Sequence, residues 1–342
     1  MQTRSVDYRG EEVKLARNFR WENIEPGLPD CIGTIPLTEV CELGTLEYVN
    51  NFERYLLPDE SRVYTKPPRV LADQDSWEQI CSGLLQRGVC TLLPLSEVYH
   101  LNNQPLFSGL FAVSKEEMSG DWEVCRLIMN MVPVKRLCRS MGGDISTLPS
   151  WAGMSPFVLE DSEVLLMSSE DIRCFFYLFS LPPQWHRYMC FGKPVPFSIA
   201  PRGASQPFYL AARVLPMGFL NSVSIAQHIH RRIARLSLHG MTPHLGPENE
   251  VRKDRVFPST GWLYRIYLDN FDALEKIDEQ LATLIKGELS VEALALRQGY
   301  QYWGLPRHPK KSVQQETHST GFGLSLVNSV GAPLSSRGNC HH

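Results

Sequence analysis

Arg213–Gln227 reads RVLPMGFLNSVSIAQ, and the way this stretch divides decides the fold. Its first residues close a strand-like run, Tyr209–Leu215. Pro216-Met217-Gly218 makes a turn, and an amphipathic helix follows in which Phe219, Val223, Ala226, Ile229 and Ile233 step by four, three, three and four residues. A Pro-x-Gly turn at a helix start leaves the backbone open to close approach, because glycine brings no side chain. Working outward, the short apolar run Glu163–Met167 (EVLLM) leads into Ser168-Ser169-Glu170-Asp171. On the other side, Trp262–Leu268 (WLYRIYL) is a β-rich run ending at Asp269, and Leu274, Ile277, Leu281 and Leu284 predict a second helix. Farther upstream, Trp77–Gly88 predicts a helix stopped by its glycine, while Val89–Leu95, Leu110–Val113 and Arg126–Val132 are strand-like. Residues 1–60 show weak periodicity and predict a loosely structured lead-in. Pro182–Pro207 holds six prolines and two glycines and predicts irregular chain, and Gly240–Pro258 predicts an exposed insertion. Strands and helices alternate with long excursions, which predicts an α+β fold.

The composition fits that reading. Among 342 residues, 43% are hydrophobic and 21% charged, which excludes a wholly disordered chain, a coiled coil and a collagen-like fibre. Lys plus Arg number 34 against 37 Asp plus Glu, so any nucleic-acid surface must be a local patch. The longest apolar run, Cys174–Pro182, falls far short of the ~20 residues of a membrane span, and no signal-peptide core is visible at the N-terminus. No membrane partner is expected. Nine cysteines, an odd count without a CxxC pair, argue against a disulfide framework and a zinc finger and point to a reducing, intracellular setting. Cys340-His341-His342 carries metal-binding residue types, but consecutive terminal residues seldom close a tetrahedral site.

Asp171 and Asp269 are the candidates for chemistry, since both end predicted strands. A fold that set those strands side by side would pair two carboxylates, and such a pair can hold two divalent metals for in-line phosphoryl displacement. Taken alone, either aspartate is an ordinary turn former or helix cap. His228, His230, Arg231, Arg232 and Arg235 predict a basic helix face, solvated or touching phosphate.

In their order along the chain, these elements resemble the polymerase domain of reverse transcriptases, most closely those of retroelements. The resemblance rests on EDIRCFF, where Phe176 follows Asp171 by five residues, on LPMGFLNSVSIAQ without a gap, and on Tyr267-Leu268-Asp269-Asn270 in place of an aromatic-x-Asp-Asp hairpin. LFAVSKEE, CRLIMNMV, YWGLPRHPKKSV and TGFGLSL extend it over residues 75–332. It implies a polymerase-type palm, a small antiparallel sheet backed by helices, with fingers and with the thumb largely missing. Residues 1–64 would be the lead-in, 65–164 fingers with 183–208 returning to them, 165–182 and 209–332 palm, and 333–342 a tail.

The resemblance further implies RNA-directed DNA synthesis, with dNTPs and an RNA or DNA template carrying a primer as partners. Asp171, Ile172 and Asp269 would hold Mg²⁺ or Mn²⁺. Lys115, Arg126, Phe176, Met217, Gly218 and Gln227 would contact the nucleotide, with Phe176 excluding a 2′-hydroxyl and Ser222 facing the template or nucleotide. Lys311, or its neighbour Lys310, would help protonate pyrophosphate. Asn270 departs from the family, which has a second aspartate there, and Asn270→Asp is expected to raise any Mg²⁺-dependent activity, because it adds a charged oxygen ligand for a hard cation. Asp272 is not expected to be a ligand. Two other readings stand beside this one: a degenerate relative that only binds nucleic acid, and an unrelated metal-dependent nucleotidyl transferase.

Overall fold

The computed structural model describes residues 15–150, 158–238, 246–321 and 324–327; the Cys340–His342 group lies outside these. Leu43–Asn50 (α1) is the longest of several short helices in the first part of the chain. Trp77–Gln86 (α2) buries Trp77, Ile80, Cys81 and Leu84 along one side and stops before Gly88, whose φ of +71° ends the helix cheaply only for glycine. Cys90–Pro94 (β1) follows. Gly109–Ser119 (β2) and Trp122–Asn130 (β3) form a long hairpin around Gly120-Asp121, where Gly120 supplies the positive φ that a two-residue turn needs.

The remaining strands are Glu163–Asp171 (β4), Cys190–Pro194 (β5) and Phe208–Ala212 (β6), then, after the long helix Ser222–Leu238 (α3), Trp262–Tyr267 (β7) and Asn270–Asp278 (β8). Glu279–Ile285 (α4), Val291–Tyr302 (α5) and Val313–Glu316 (β9) follow. The fold is α+β, with several helices and small, mostly antiparallel sheets. One sheet has the order β1-β6-β5; the four-stranded sheet has the order β7-β8-β4-β9, antiparallel throughout. No helix among the described residues is long and apolar enough to cross a membrane.

The register of the four-stranded sheet positions the site. Asn270 lies opposite Asp171, Phe271 opposite Glu170, and Asp272 opposite Ser169. Since side chains alternate between faces, Glu170, Phe271 and Ala273 share one face. Phe271 and Ala273 join the main core with Ile229, Ile233, Leu296 and Tyr300 of α3 and α5. The opposite face is apolar at its far end, where Leu165, Met167 and Leu274 meet Val251 and Leu263. Towards Asp171 the same face turns polar, carrying Ser169, Asp272 and Asn270.

Several expectations need correction. The helix expected over Leu274–Leu284 is strand β8 as far as Asp278, and only Glu279–Ile285 is helical. Every residue from Asn270 to Leu274 is buried, so alternation is hidden, and a chance spacing of three, four and three residues imitates a helix. The supposed loose lead-in is a wall of the core: Tyr48 and Phe52 are buried, Phe52 lies 4.3 Å from the Trp185 ring, and Trp185 donates its indole N–H to the Val49 carbonyl. Helices this short complete too few turns to print a period. Nor is the insertion wholly exposed, because Asn249, Glu250 and Val251 are buried and the Asn249 amide donates to the Trp262 carbonyl.

Candidate active site

β4 runs unbroken to Asp171, farther than its apolar residues suggested. β7 and β8 are joined by a two-residue turn, Leu268-Asp269, because Tyr267 pairs with Asn270. That turn sits beside the end of β4: the Ile172 N–H donates to the Asp269 carbonyl at 2.8 Å. Asp171 and Asp269 therefore come together at the β7–β8 turn, although the strand that leads to Asp269, β7, is not the neighbour of β4: β8 lies between them, and Asp171 pairs with Asn270. Burial chiefly, and then the charge of Asp171, push the Asp269 carboxyl up to about 6, while Lys311 and Arg126 act in the opposite direction. Ile172 has a fully buried side chain, so its carbonyl oxygen is the one atom it can offer a metal.

Of the two candidate lysines, Lys311 is the one on Asp171, with Nζ 3.2 Å from Oδ2. Its segment is pinned along β4 by two backbone bonds, His308 N–H to the Asp171 carbonyl and Arg173 N–H to the Pro306 carbonyl. Glu170, on the opposite face, reinforces this. Its buried carboxylate accepts from Arg297 Nε at 2.6 Å, Arg307 Nε at 2.8 Å and Ser312 Oγ at 3.0 Å, tying α5 and the Lys311 segment to one strand. Sequence reading missed Glu170; the signal was a carboxylate inside what proved to be strand.

Gln227 is corrected. It is fully buried and does not face a nucleotide: its amide nitrogen donates to the Ile266 carbonyl at 2.8 Å and its oxygen accepts the Leu268 N–H at 2.9 Å. Ser222 is likewise buried, donating to the Pro216 carbonyl. Leu268 has a φ of +54°, a conformation that costs a branched side chain about 1–3 kcal/mol. The strain is held from both sides, since the Leu268 carbonyl accepts from His230 Nδ1 at 2.6 Å. With Nδ1 donating, Nε2 is the acceptor, and it takes the Tyr300 hydroxyl proton at 2.7 Å. Two residues of α3 thus clamp the turn that presents Asp269.

His230 is buried, and burial lowers its pKa from 6.5 to about 4. A neutral folded ring and a titratable unfolded one make protons favour unfolding between those values. This stability is whole above pH 6.5 and is lost as pH falls to about 4, roughly 3 kcal/mol at ~1.4 kcal/mol per unit. Urea unfolding across that range should therefore steepen for the wild type relative to His230→Gln; parallel curves would mean that the folded ring takes up its proton normally.

The rest of the expected basic face is committed to carboxylates. His228 and Arg231 pair with Asp144, Arg231 also with Glu250 at 2.6 Å, and Arg232 and Arg235 with Glu42. This correction follows from long-range partners that a single helix cannot reveal. Met217 and Gly218 are exposed, and a Cβ on Gly218 would lie 2.6 Å from the Met129 carbonyl, so glycine is required by packing on β3. Arg126 is exposed and Lys115 half-buried on the β2–β3 hairpin. Phe175 and Phe176 both belong to the buried core, at 1% and 6% exposure, with Phe175 packed against Phe179 and His230.

The Asn270 side chain, opposite Asp171 in the sheet, is engaged by Asp272. Its amide donates to Asp272 Oδ1 at 2.8 Å; Ser169 donates to the same oxygen at 2.6 Å, and Arg265 Nε to Oδ2 at 2.6 Å. Asp272 is buried, and both of its carboxylate oxygens are engaged. Among the described residues, no group of three or more His, Cys, Asp or Glu side chains is arranged to hold a metal. Compared with known proteins, the chain matches no family model and no curated sequence.

Proposed function

We propose that this chain is the RNA-directed DNA polymerase domain of a retroelement, extending a primer 3′-hydroxyl with dNTPs on an RNA or DNA template. The observation that carries the reading is the meeting of Asp171 and Asp269 at one sheet end, with Lys311 on the first and Arg126 near the second. In this reading the four-stranded sheet with α3 and α5 is the palm, and the β2–β3 hairpin belongs to the fingers.

Mg²⁺ or Mn²⁺ fits the donor set. Two close carboxylates, one with its pKa raised partly by the other, form an anionic pair that a hard cation would relieve, and the Ile172 carbonyl supplies a neutral oxygen. When bound, such ions acidify the primer hydroxyl and neutralise phosphate charge. The chain's own side chains do the rest. Lys115 and Arg126 grip the triphosphate, Arg126 through its planar fork. Lys311, an exposed ammonium tethered by Asp171, stands ready to give a proton to the leaving pyrophosphate. Gln227 and His230 hold Asp269 in place without touching substrate.

Purified protein with an RNA template, a DNA primer, dNTPs and either ion should extend the primer. A folded protein that binds template–primer but never extends it would favour the second reading, a degenerate relative. Asn270 favours that alternative, because its amide serves a structural network where the family carries a carboxylate.

Phe176→Val is expected to admit ribonucleotides while deoxynucleotide use continues, since a smaller side chain leaves room for a 2′-hydroxyl. Phe175→Ala should instead cost ~3–5 kcal/mol of stability without relaxing selectivity. The reverse pattern would mean that the segment is offset by one residue.

A further inference from the structure

α4 and α5 lie on the same face of the four-stranded sheet. Ala282 of α4 packs on Val164 and Leu166 of β4, while Leu296 and Tyr300 of α5 join the core that holds Phe271 and Ala273 of β8. These strand residues share a face, because Val164 stands opposite Ile277 and Leu166 opposite Glu275, in step with Ala273 and Phe271. Each helix also turns apolar residues outward. On α4, Leu281 and Leu284 precede the inward Ala282 and Ile285 by one residue, about 100° round the helix. On α5, Val291 and Leu294 are three residues apart and form a ridge turned from the buried Ala293, Leu296 and Tyr300. The four stay 45–78% exposed, and the two pairs flank the connection 286–290. That connection is fixed, since the Gln315 amide of β9 donates to the Glu288 carbonyl at 2.9 Å. The charge left around the ridge is of one sign. The three cations between Asn270 and Tyr302 are spent: Lys276 on Glu163 at 2.7 Å, Lys286 on Glu316 at 3.3 Å and Arg297 on Glu170 at 2.6 Å. Asp278, Glu279 and Glu288 are exposed and, among the described residues, none has an ion pair. Glu292, buried in the first turn of α5, has neither a hydrogen bond nor an ion pair for its side chain among them.

We propose that the outer ridge of α4 and α5 is the docking surface for a basic amphipathic helix of a partner protein. Its apolar face would seat on Leu281, Leu284, Val291 and Leu294, and its Lys and Arg side chains would meet Asp278, Glu279 and Glu288. Charge selects this occupant. Nucleic acid and anionic lipid carry the sign that these carboxylates repel. A second copy, set face to face about a two-fold axis, would oppose the same carboxylates to one another while the cations of the stretch are already paired. Asp278 stands opposite Glu163, eight residues along β4 from Asp171, or ~26 Å at the rise of a strand. The inference therefore goes beyond the polymerase reading and does not depend on it.

The probe is a fluorescein-labelled peptide of about 18 residues, with leucine on one helical face and lysine on the other, titrated with the whole chain and followed by anisotropy. It should bind about 10-fold or more tightly than the same peptide with glutamate for lysine, or than a shuffled leucine–lysine sequence. Leu284→Lys and Leu281→Lys should each weaken binding about 10-fold while the urea midpoint stays put, since both side chains are exposed. Glu288→Lys should weaken binding and flatten its dependence on salt. Leu236→Lys, at an exposed leucine of α3, should change nothing. Undiminished binding in the folded leucine variants would overturn the proposal, as would equal binding of the shuffled or the glutamate peptide. Sedimentation of the wild type as a dimer that Leu284→Lys dissociates would also overturn it, by giving the ridge to a second copy.

Discussion

Asp269→Asn is expected to resist urea better than the wild type at pH 7.5 while losing primer extension by about 10³-fold or more. The two effects share one cause. The folded Asp269 carboxyl has its pKa raised from 3.8 to about 6, so its proton favours the fold. That contribution is fully present below 3.8 and is lost as pH rises through about 6, after which the bare charge weighs against the fold. Removing the charge should return roughly 2 kcal/mol near neutrality, allowing for its partial exposure, and nothing near pH 3.5. Metal-free urea titrations at the two pH values check the sign. A variant that is less stable than the wild type at pH 7.5, or that still extends primers, would show that Asp269 is an ordinary turn residue.

Asn270→Asp should lower stability by about 3 kcal/mol at pH 7, a cost separate from the rise in Mg²⁺-dependent activity expected of an added carboxylate. The Asn270 amide nitrogen donates to Asp272 Oδ1 at 2.8 Å in a buried site, so an oxygen there would face another oxygen. Arg265 already binds the second oxygen of Asp272 and cannot neutralise two carboxylates equally. One of them would have to keep a proton, and the loss should shrink as pH falls towards 5. Urea midpoints at pH 5 and 7 decide this. If the variant matches the wild type at both, Asn270 is free to turn outward and the buried network does not constrain it.

Much of this was legible in the sequence where a pattern is local. The LPMGF turn with the long helix after it and the strand that leads to Asp269 follow from apolar spacing and turn chemistry, whereas the meeting of the two aspartates was implied only by the resemblance. What stayed hidden depends on partners distant in sequence. Gln227 read as a polar helix residue, and only the hairpin packed on α3 makes it a clamp. Arg231 and Arg232 read as solvated until Asp144, Glu250 and Glu42 were brought to them by the tertiary fold. β8 was misread because both of its faces are covered, which erases the two-residue period that marks a strand.

The strand that carries Asp171 lies inside its sheet, but both of its neighbours come much later in the chain, β8 from Asn270 and β9 from Val313. During synthesis, β4 must therefore wait with two open hydrogen-bonding edges while roughly a hundred residues are added, some seconds at ~5–20 residues per second. A ribosome stalled between those points would hold a chain whose segment Val164–Met167 is apolar and unpaired, a ready template for other nascent strands. Yield in a cell-free system should accordingly respond to added chaperone far more than the modest size of the sheet would suggest.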